Sequence, residues 1–333
     1  MQARKIKPSK PENLSFVPDL QRPAADAMMK KKRNEAIPLV LVSLLLILLC
    51  RVIQAFFSKR SSNAVGGIRT MVAYLSYQNT ISAVAGLVLI LWAGKGFAVD
   101  MRTALISCLF GSMIFFATFC NICAMKSGTV SLCSVFGTAG ILVPILAGAV
   151  LFGTAVAPMQ VLGIALFLVS AWILIGSSRQ VYTNFSIKTV LLLLGMLLAN
   201  GGSMLAQQLF AAYVPDGDVA VFSFLSFGLI ALLGWTARAL MGPTPEEEKD
   251  RSEPRKLALC GPALAMAVFF INQLSTGLAG KIAPAILFTV SCGGSTIIST
   301  LVAAWVYREK LTRRSTLGVL LGIVAIVLIK VFE

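Results

Sequence analysis

Few residues of this chain could bind or transform a solute, and most of them lie inside long apolar stretches. Arg51 is a cation roughly two-thirds of the way along the first stretch, and Gln54 follows it at i+3 on the same helical face. A charge in hydrocarbon is costly, so an embedded arginine is a candidate for solute binding. The alternative is that its long side chain extends to the membrane interface near Lys59 and Arg60.

A second set of candidates is mostly uncharged. Asn200, Ser203 and Gln207 fall at i, i+3 and i+7, so they form one stripe on a helix. Amides in lipid need partners, which either a polar solute or a neighbouring helix can supply. Lys281 lies at the end of a stretch, where an interfacial anchor is the alternative to solute binding. The remaining candidates, on the second, third and eighth stretches, are Tyr74, Tyr77, Gln78, Asn121 and Asn272.

No reaction centre is recognisable in the sequence. The chain has no His, its Asp and Glu residues fall outside or at the rims of the apolar stretches, and no phosphate-binding loop is present. Cys120 and Cys123 form a C-x-x-C, but no second close pair or His could complete a zinc site, so we interpret the cysteines as packing residues. We therefore predict no enzyme, no metal and no cofactor. The lack of an embedded carboxylate disfavours proton/cation antiport and favours an anionic or neutral polar solute.

The elements that must position these residues are membrane helices. Hydrophobic residues make up 57% of the 333 residues and charged residues only 13%, far below the roughly 25% of soluble domains. About 20 apolar residues span a bilayer as a helix. The sequence predicts an all-α integral membrane protein with ten transmembrane helices, approximately at 36–57, 68–94, 102–124, 128–152, 158–177, 186–213, 218–241, 257–278, 282–307 and 314–332.

The two halves of the spanning region resemble each other. We therefore predict two five-helix repeats, 36–177 and 178–333, which are inverted because five is odd. The fourth and ninth spans, which are partners in this scheme, are both interrupted by Gly and Pro, as is typical of a transport path; small-residue packing is the alternative. A shift of about 155 residues places Phe152, Val156, Leu162 and Gly163 over Tyr307, Leu311, Leu317 and Gly318.

Residues 1–35 carry nine cations and few large apolar residues, so we predict a basic, disordered tail. No aromatic interleaving or known motif accompanies this charge, and nucleic-acid binding is not predicted. Lys30 to Arg33 abut the first span, which favours the cytoplasmic face. Most loop cations follow odd-numbered spans and favour the opposite orientation. Because the first span usually dominates, we predict a multi-pass protein of the cell membrane with both termini cytoplasmic.

The C-terminal stretch resembles the closing motif of the EamA-like drug/metabolite transporter superfamily, a span ending aromatic-x-Glu-x-Leu-Thr followed by Leu-Gly and a last helix. The first-half counterpart departs from the motif with Thr154 in place of the acidic residue. The resemblance implies ten helices in two inverted repeats around a central substrate cavity, with the fifth and tenth helices peripheral. It is carried by Tyr307, Glu309, Leu311, Thr312 and Gly318.

Together these patterns predict a secondary transporter of a small organic metabolite that works by alternating access. The expected partners are the small-molecule substrate and the lipid bilayer, and a homodimer is left open. The alternatives are a flippase of the same fold for a lipid-linked substrate and a non-transporting membrane scaffold. A carrier should contain a hydrated central cavity of several hundred cubic ångströms, whereas a scaffold should have a dry core with its amides paired to each other.

Overall fold

The computed structural model describes residues 22–94, 97, 99–127, 130–144, 146–147, 158–181, 186–278, 291, 294–306, 308 and 312–331. The chain divides into a unit of residues 1–42 and a unit of residues 43–333. The first is described as helix from Arg22 onward. Part of the predicted disordered tail is therefore helical, and its Ala, Met and Lys residues are good helix formers.

The regular structure within those ranges is helical, with no strand. A 3-10 turn, Ala139–Ile141, directly follows the fourth helix. The helices are α1 Arg22–Ala64, α2 Ile68–Ala93, α3 Met101–Ser127, α4 Val130–Thr138, α5 Pro158–Val181, α6 Ile187–Tyr213, α7 Val219–Leu240, α8 Glu246–Asp250, α9 Pro254–Leu278, α10 Gly294–Trp305 and α11 Arg313–Val331.

Among the residues that the structure describes, six segments are long and apolar enough to cross a membrane. They contain 22 to 27 residues each, against the roughly 20 that a bilayer requires. Shorter apolar helices lie at Leu132–Pro144, Val161–Ser170 and Thr316–Ala325. An all-helical chain with these segments agrees with the prediction of a multi-pass membrane protein. The six segments are Val40–Ala64, Ile68–Ala93, Met101–Lys126, Ile187–Tyr213, Val219–Leu240 and Pro254–Leu278.

The end of the first membrane helix differs from the prediction. The sequence placed it near residue 57, because Lys59 and Arg60 are typical of an interface, but α1 continues to Ala64. Lys59 is buried and donates from Nζ to the main-chain oxygen of Met125 at 2.8 Å. This cation therefore binds a carbonyl oxygen in the last turn of α3, where the negative end of the helix dipole favours it.

Aromatic packing holds several of the long helices together. Phe110 of α3, Phe210 of α6, Phe222 and Phe227 of α7 and Phe269 of α9 belong to one buried cluster. The rings of Phe210 and Phe222 are stacked with centroids 4.3 Å apart. Because buried aromatic side chains contribute large apolar areas, this cluster fixes α3, α6 and α9 relative to one another. These three helices carry most of the amides considered below.

Candidate functional site

A polar cavity of about 130 Å³ lies among α1, α3, α4, α6, α9 and α10. It is large enough for several water molecules, but it is smaller than the roughly 300–1,000 Å³ typical of ligand pockets. Six of the predicted site residues line it, and they come from both halves of the chain: Arg51, Asn121, Asn200, Ser203, Gln207 and Asn272.

The other predicted residues lie elsewhere. The described wall of the cavity contains no residue of α2, so Tyr74, Tyr77 and Gln78 are not part of it. The hydroxyls of Tyr74 and Ser61 are 2.5 Å apart, so this pair connects α2 to α1. Gln78 is buried. Lys281 falls outside the described residues.

Tyr77 packs against the helix that follows the acidic loop. A Cβ atom at Gly261 of α9 would lie 2.6 Å from Cε1 of Tyr77, which is too close for any side chain. The ring of Tyr77 therefore fills the space that the glycine leaves. Like Tyr74, Tyr77 connects helices in this structure.

The described wall of the cavity carries one positive charge. Arg51 is the one cation among its described lining residues, and that lining includes no Asp or Glu. Arg51 donates from Nη1 to Oε1 of Gln54 at 2.8 Å, the i+3 neighbour that also lines the cavity. The amide of Gln54 thereby helps to orient the guanidinium. In a space that excludes most water, such a charge interacts with an anion more strongly than it would in bulk solvent.

The amides of Asn121 and Asn200 have unused hydrogen-bonding capacity. Within the described part of the chain, neither side chain forms a hydrogen bond to protein, although both line the cavity. Each side chain can donate two hydrogen bonds and accept two more. Gly137 on α4 faces Asn200, since a Cβ there would lie 3.5 Å from Nδ2 of Asn200. These two amides are therefore open to a polar molecule in the cavity.

The amides between α6 and α9, in contrast, bond to protein. Gln207 donates from Nε2 to Oγ1 of Thr276 at 3.1 Å and makes a longer contact of 3.4 Å with Oδ1 of Asn272. Asn272 donates from Nδ2 to the main-chain oxygen of Val268 at 2.8 Å. Ser203 donates to the main-chain oxygen of Asn200 at 2.7 Å. These side chains line the cavity and also hold its wall together.

Sequence analysis missed a set of hydroxyl groups in the lining. Their spacing could have revealed them, because residues four apart share a helical face. Ser295 and Ser299 are spaced in this way on α10, as are Ser134 and Thr138 on α4. The missed residues are Ser58, Thr118, Ser134, Thr138, Ser275, Ser291, Ser295 and Ser299.

The helix α4, in the region of the predicted fourth span, contacts both α6 and α10. The last residue of α4 is Thr138, whose Oγ1 is 3.1 Å from Oγ1 of Thr296 on α10, and residues 142–144 are helical again after the 3-10 turn. In the following 3-10 turn, Gly140 packs directly on Gly201 of α6. A Cβ at residue 201 would overlap the Gly140 carbonyl oxygen and the side chain of Val143. The glycines therefore permit a close backbone approach, while α6 itself continues without a break.

Comparison with known proteins identifies a similar fold among solved structures. No family model matches the chain, and no curated protein is significantly similar to it. One solved crystal structure of a protein matches with a TM-score of 0.57 and 14% sequence identity, over 87% of this chain and 98% of that chain. At this identity the similarity concerns the fold alone. It extends over nearly the whole of the solved chain, so most of the helical arrangement has a counterpart there.

Proposed function

We propose that this chain is a secondary transporter that moves a small organic solute across the cell membrane by alternating access. The observation that carries the proposal is the polar cavity lined by residues of both halves, which include residues of the membrane-length helices α1, α3, α6 and α9. A wall that contains Arg51 and the open amides of Asn121 and Asn200 suits an anionic or neutral polar solute. The proposal assigns the chain no catalytic role and derives energy from a solute gradient or from exchange.

The packing of the helices supports two inverted five-helix repeats. In the proposed scheme α1 to α5 form the first repeat, and α6, α7, α9, α10 and α11 form the second, which gives ten spans. Repeat partners pack on each other in the pairs α2 with α7, α4 with α10 and α5 with α11. Elements close to a two-fold axis contact their own partners, so this pattern is expected of such a fold.

Single contacts agree with this scheme. Thr138 and Thr296, whose hydroxyls meet between α4 and α10, are 158 residues apart, close to the shift of about 155 that aligns the halves. Ser170 of α5 donates to the main-chain oxygen of Gly318 on α11 at 2.7 Å. Together with the sequence motif at the C-terminus, these features favour membership of the EamA-like drug/metabolite transporter superfamily.

Orientation, location and assembly are also part of the proposal. The basic cluster beside the first span favours cytoplasmic termini in the cell membrane. The lipid bilayer is the surrounding partner, because large apolar side chains such as Leu91, Trp92 and Leu240 are strongly exposed on the helices. A homodimer remains open.

One observation favours the alternative of a membrane scaffold. A hydrogen-bonded network between α6 and α9 is of the kind that holds helices together in lipid, and it consists of Gln207, Asn272 and Thr276. Asn121 and Asn200 do not follow that pattern, which is why we favour a carrier. The size of the cavity counts against a lipid-linked substrate.

The test of the carrier is binding followed by transport. Detergent-purified protein is screened against a metabolite library by thermal shift, because a ligand that binds the folded state raises the melting temperature. Hits are then assayed for counterflow in proteoliposomes. We expect Arg51→Met to abolish uptake of an anionic solute while the protein still folds and unfolds cooperatively. Arg60→Met, on the same helix but outside the described lining, is the matched control.

Unchanged uptake by the Arg51→Met protein would remove Arg51 from the site. A complete lack of hits and of counterflow, from protein that melts cooperatively, would count against the carrier and in favour of the scaffold.

A further inference from the structure

The membrane segment of α1 is preceded, in the same helix, by a cluster of positive charge. This basic cluster consists of Lys30, Lys31, Lys32 and Arg33. The sequence predicted a disordered tail at these positions, but α1 is helical from Arg22 onward. A disordered tail would leave the spacing of the four residues free, whereas a helix fixes it. The helix therefore concentrates four charges in about 6 Å of its length.

The basic cluster is close enough to the membrane segment to reach lipid headgroups. Ile37 is the first large apolar residue that follows the cluster, and Lys30 lies seven residues before it. Seven residues of helix measure about 10 Å, and the four residues from Arg33 to Ile37 measure about 6 Å. The headgroup region extends about 5–8 Å beyond the hydrocarbon core, and Lys and Arg side chains are long enough to add further reach. All four charges can therefore contact lipid phosphates.

A proline between the cluster and the membrane segment does not change this conclusion. Pro38 precedes Val40, where the membrane-length segment begins. A proline inside a helix lacks an N–H group and permits a bend. A bend changes the direction of the basic part of α1, but it cannot lengthen the path to the membrane segment, because the path along the straight helix is the upper limit.

The spacing of the four cations favours a lipid surface over a single folded partner. Consecutive residues of a helix are about 100° apart, so four of them surround the helix. A folded protein or a nucleic acid contacts one face of a helix and would leave some of these charges without a partner. Headgroups surround a membrane helix on every side and can bind all four. Residues 22–39 also contain no aromatic residue, which stacking on nucleic-acid bases would require.

The charge balance of this part of the helix also favours a negative surface. Residues 22–39 carry five cations against two carboxylates, Asp26 and Glu35. Like charges at i and i+3, such as Lys30 and Arg33, destabilise a helix. The two carboxylates have the spacing of ion pairs within the helix, but exposed pairs of this kind are weak. Anionic headgroups would neutralise the remaining positive charge and thereby stabilise the helical form.

We propose that the basic cluster is a binding site for the headgroups of anionic phospholipids, and that it anchors the start of the first membrane helix in the leaflet on its side. Each Lys or Arg close to an anionic surface strengthens binding about fivefold. Because the attraction is electrostatic, it weakens as the salt concentration rises. The site requires that α1 enters a membrane, but it does not require that the chain is a carrier.

Native mass spectrometry of the full-length protein in detergent tests the headgroup site. Phosphatidylglycerol and phosphatidylserine are titrated as the anionic lipids, and phosphatidylcholine with the same acyl chains is the zwitterionic reference. We expect the wild type to bind each anionic lipid about tenfold or more tightly than the reference. This preference should decrease at high ionic strength.

Two variants with the same change in net charge locate the site. In the first, glutamine replaces the whole basic cluster, which keeps a good helix former at each position: Lys30→Gln, Lys31→Gln, Lys32→Gln and Arg33→Gln. The matched control removes four exposed cations near the start of α9: Lys249→Gln, Arg251→Gln, Arg255→Gln and Lys256→Gln. We expect the preference for anionic lipid to fall about tenfold or more in the first variant and at most about twofold in the control.

A smaller change keeps the test valid if the fourfold variant of the cluster does not fold. The double variant Lys31→Gln and Lys32→Gln should lose an intermediate part of the preference, because it removes half of the cluster. A double variant that binds the anionic lipids like the wild type would contradict a headgroup site at this place.

Four further results would overturn the headgroup site. They are no preference of the wild type for anionic lipid, equal losses in the cluster variant and the control, displacement of the lipid by an equal concentration of glycerol 3-phosphate, and tighter binding of a single-stranded RNA than of either anionic lipid. The third result would indicate a site for free phosphates, and the fourth a nucleic-acid site. Because no transport is measured, each result is independent of the proposed carrier.

Discussion

The amides of the cavity fall into two groups: a paired wall, where Gln207 of α6 bonds to Thr276 and contacts Asn272 of α9, and an open wall formed by Asn121 of α3 and Asn200 of α6. Gln207 donates to Thr276 and contacts Asn272, so this wall carries its own partners. The side chains of Asn121 and Asn200 line the same space and form no hydrogen bond with the described part of the chain. An amide in a membrane helix can therefore either bond to a neighbouring helix or remain available to a solute. Which of the two occurs depends on the side chains that surround it.

The largest effect is expected where both walls depend on one contact. Gly201 and Gly140 meet backbone to backbone, so Gly201→Ala forces α6 away from α4. We expect a loss of about 1–3 kcal/mol in stability, and more if the backbone cannot shift, measured as a lower unfolding midpoint in detergent. Gly202→Ala is the control, because the atoms that its Cβ would meet belong to the flexible side chain of Met113. Equal losses for both variants would contradict the role of the close approach.

The paired wall should lose stability when one partner is removed. Gln207→Leu leaves Thr276 and Asn272 without their donor in a buried place. We expect the free energy of unfolding to fall by about 1–2 kcal/mol, measured as a lower unfolding midpoint in detergent. Gln208→Leu changes the same residue type one position along, outside the described cavity lining, and should cost less. A Gln207→Leu protein as stable as the wild type would remove the distinction between the walls.

The open wall should lose function and keep stability. Asn200→Leu removes a side-chain amide that forms no hydrogen bond with the described chain. The free energy of unfolding of this variant should therefore stay within about 0.5 kcal/mol of the wild-type value. Binding of the solute identified by thermal shift should weaken, by about 1 kcal/mol for one neutral hydrogen bond. A clear loss of stability with unchanged binding would place Asn200 with the structural amides.

A still smaller effect is expected at the boundary between the walls. Ser203→Ala removes one hydroxyl that bonds within its own helix, to the Asn200 main-chain oxygen. We expect less than about 0.5 kcal/mol in stability. Solute binding should fall by less than in the Asn200→Leu protein. A larger effect on binding than that of Asn200→Leu would show that the serine contacts the solute directly.

The helices themselves could be predicted from the sequence because hydrocarbon imposes a simple requirement. Every main-chain polar group in a bilayer must bond within its own segment, so a long apolar stretch becomes a helix whatever surrounds it. Polar side chains on those stretches also follow from the sequence, as do stripes such as Asn200, Ser203 and Gln207. Six of the predicted site residues accordingly line the cavity.

Which polar groups meet was decided only by the tertiary structure. Tyr74 and Gln78 are polar residues within an apolar stretch, as the cavity residues are. In the structure, however, α2 packs against other helices and does not line the described cavity. The sequence predicted that the first span ends before Lys59, whereas in the structure Lys59 lies within the helix and donates to a main-chain carbonyl of α3. Helix rotation and partner choice depend on contacts between residues distant in sequence, such as Gly140 with Gly201. The periodicity of a single segment determines which residues share a face of the helix, but it does not determine which other helix packs against that face.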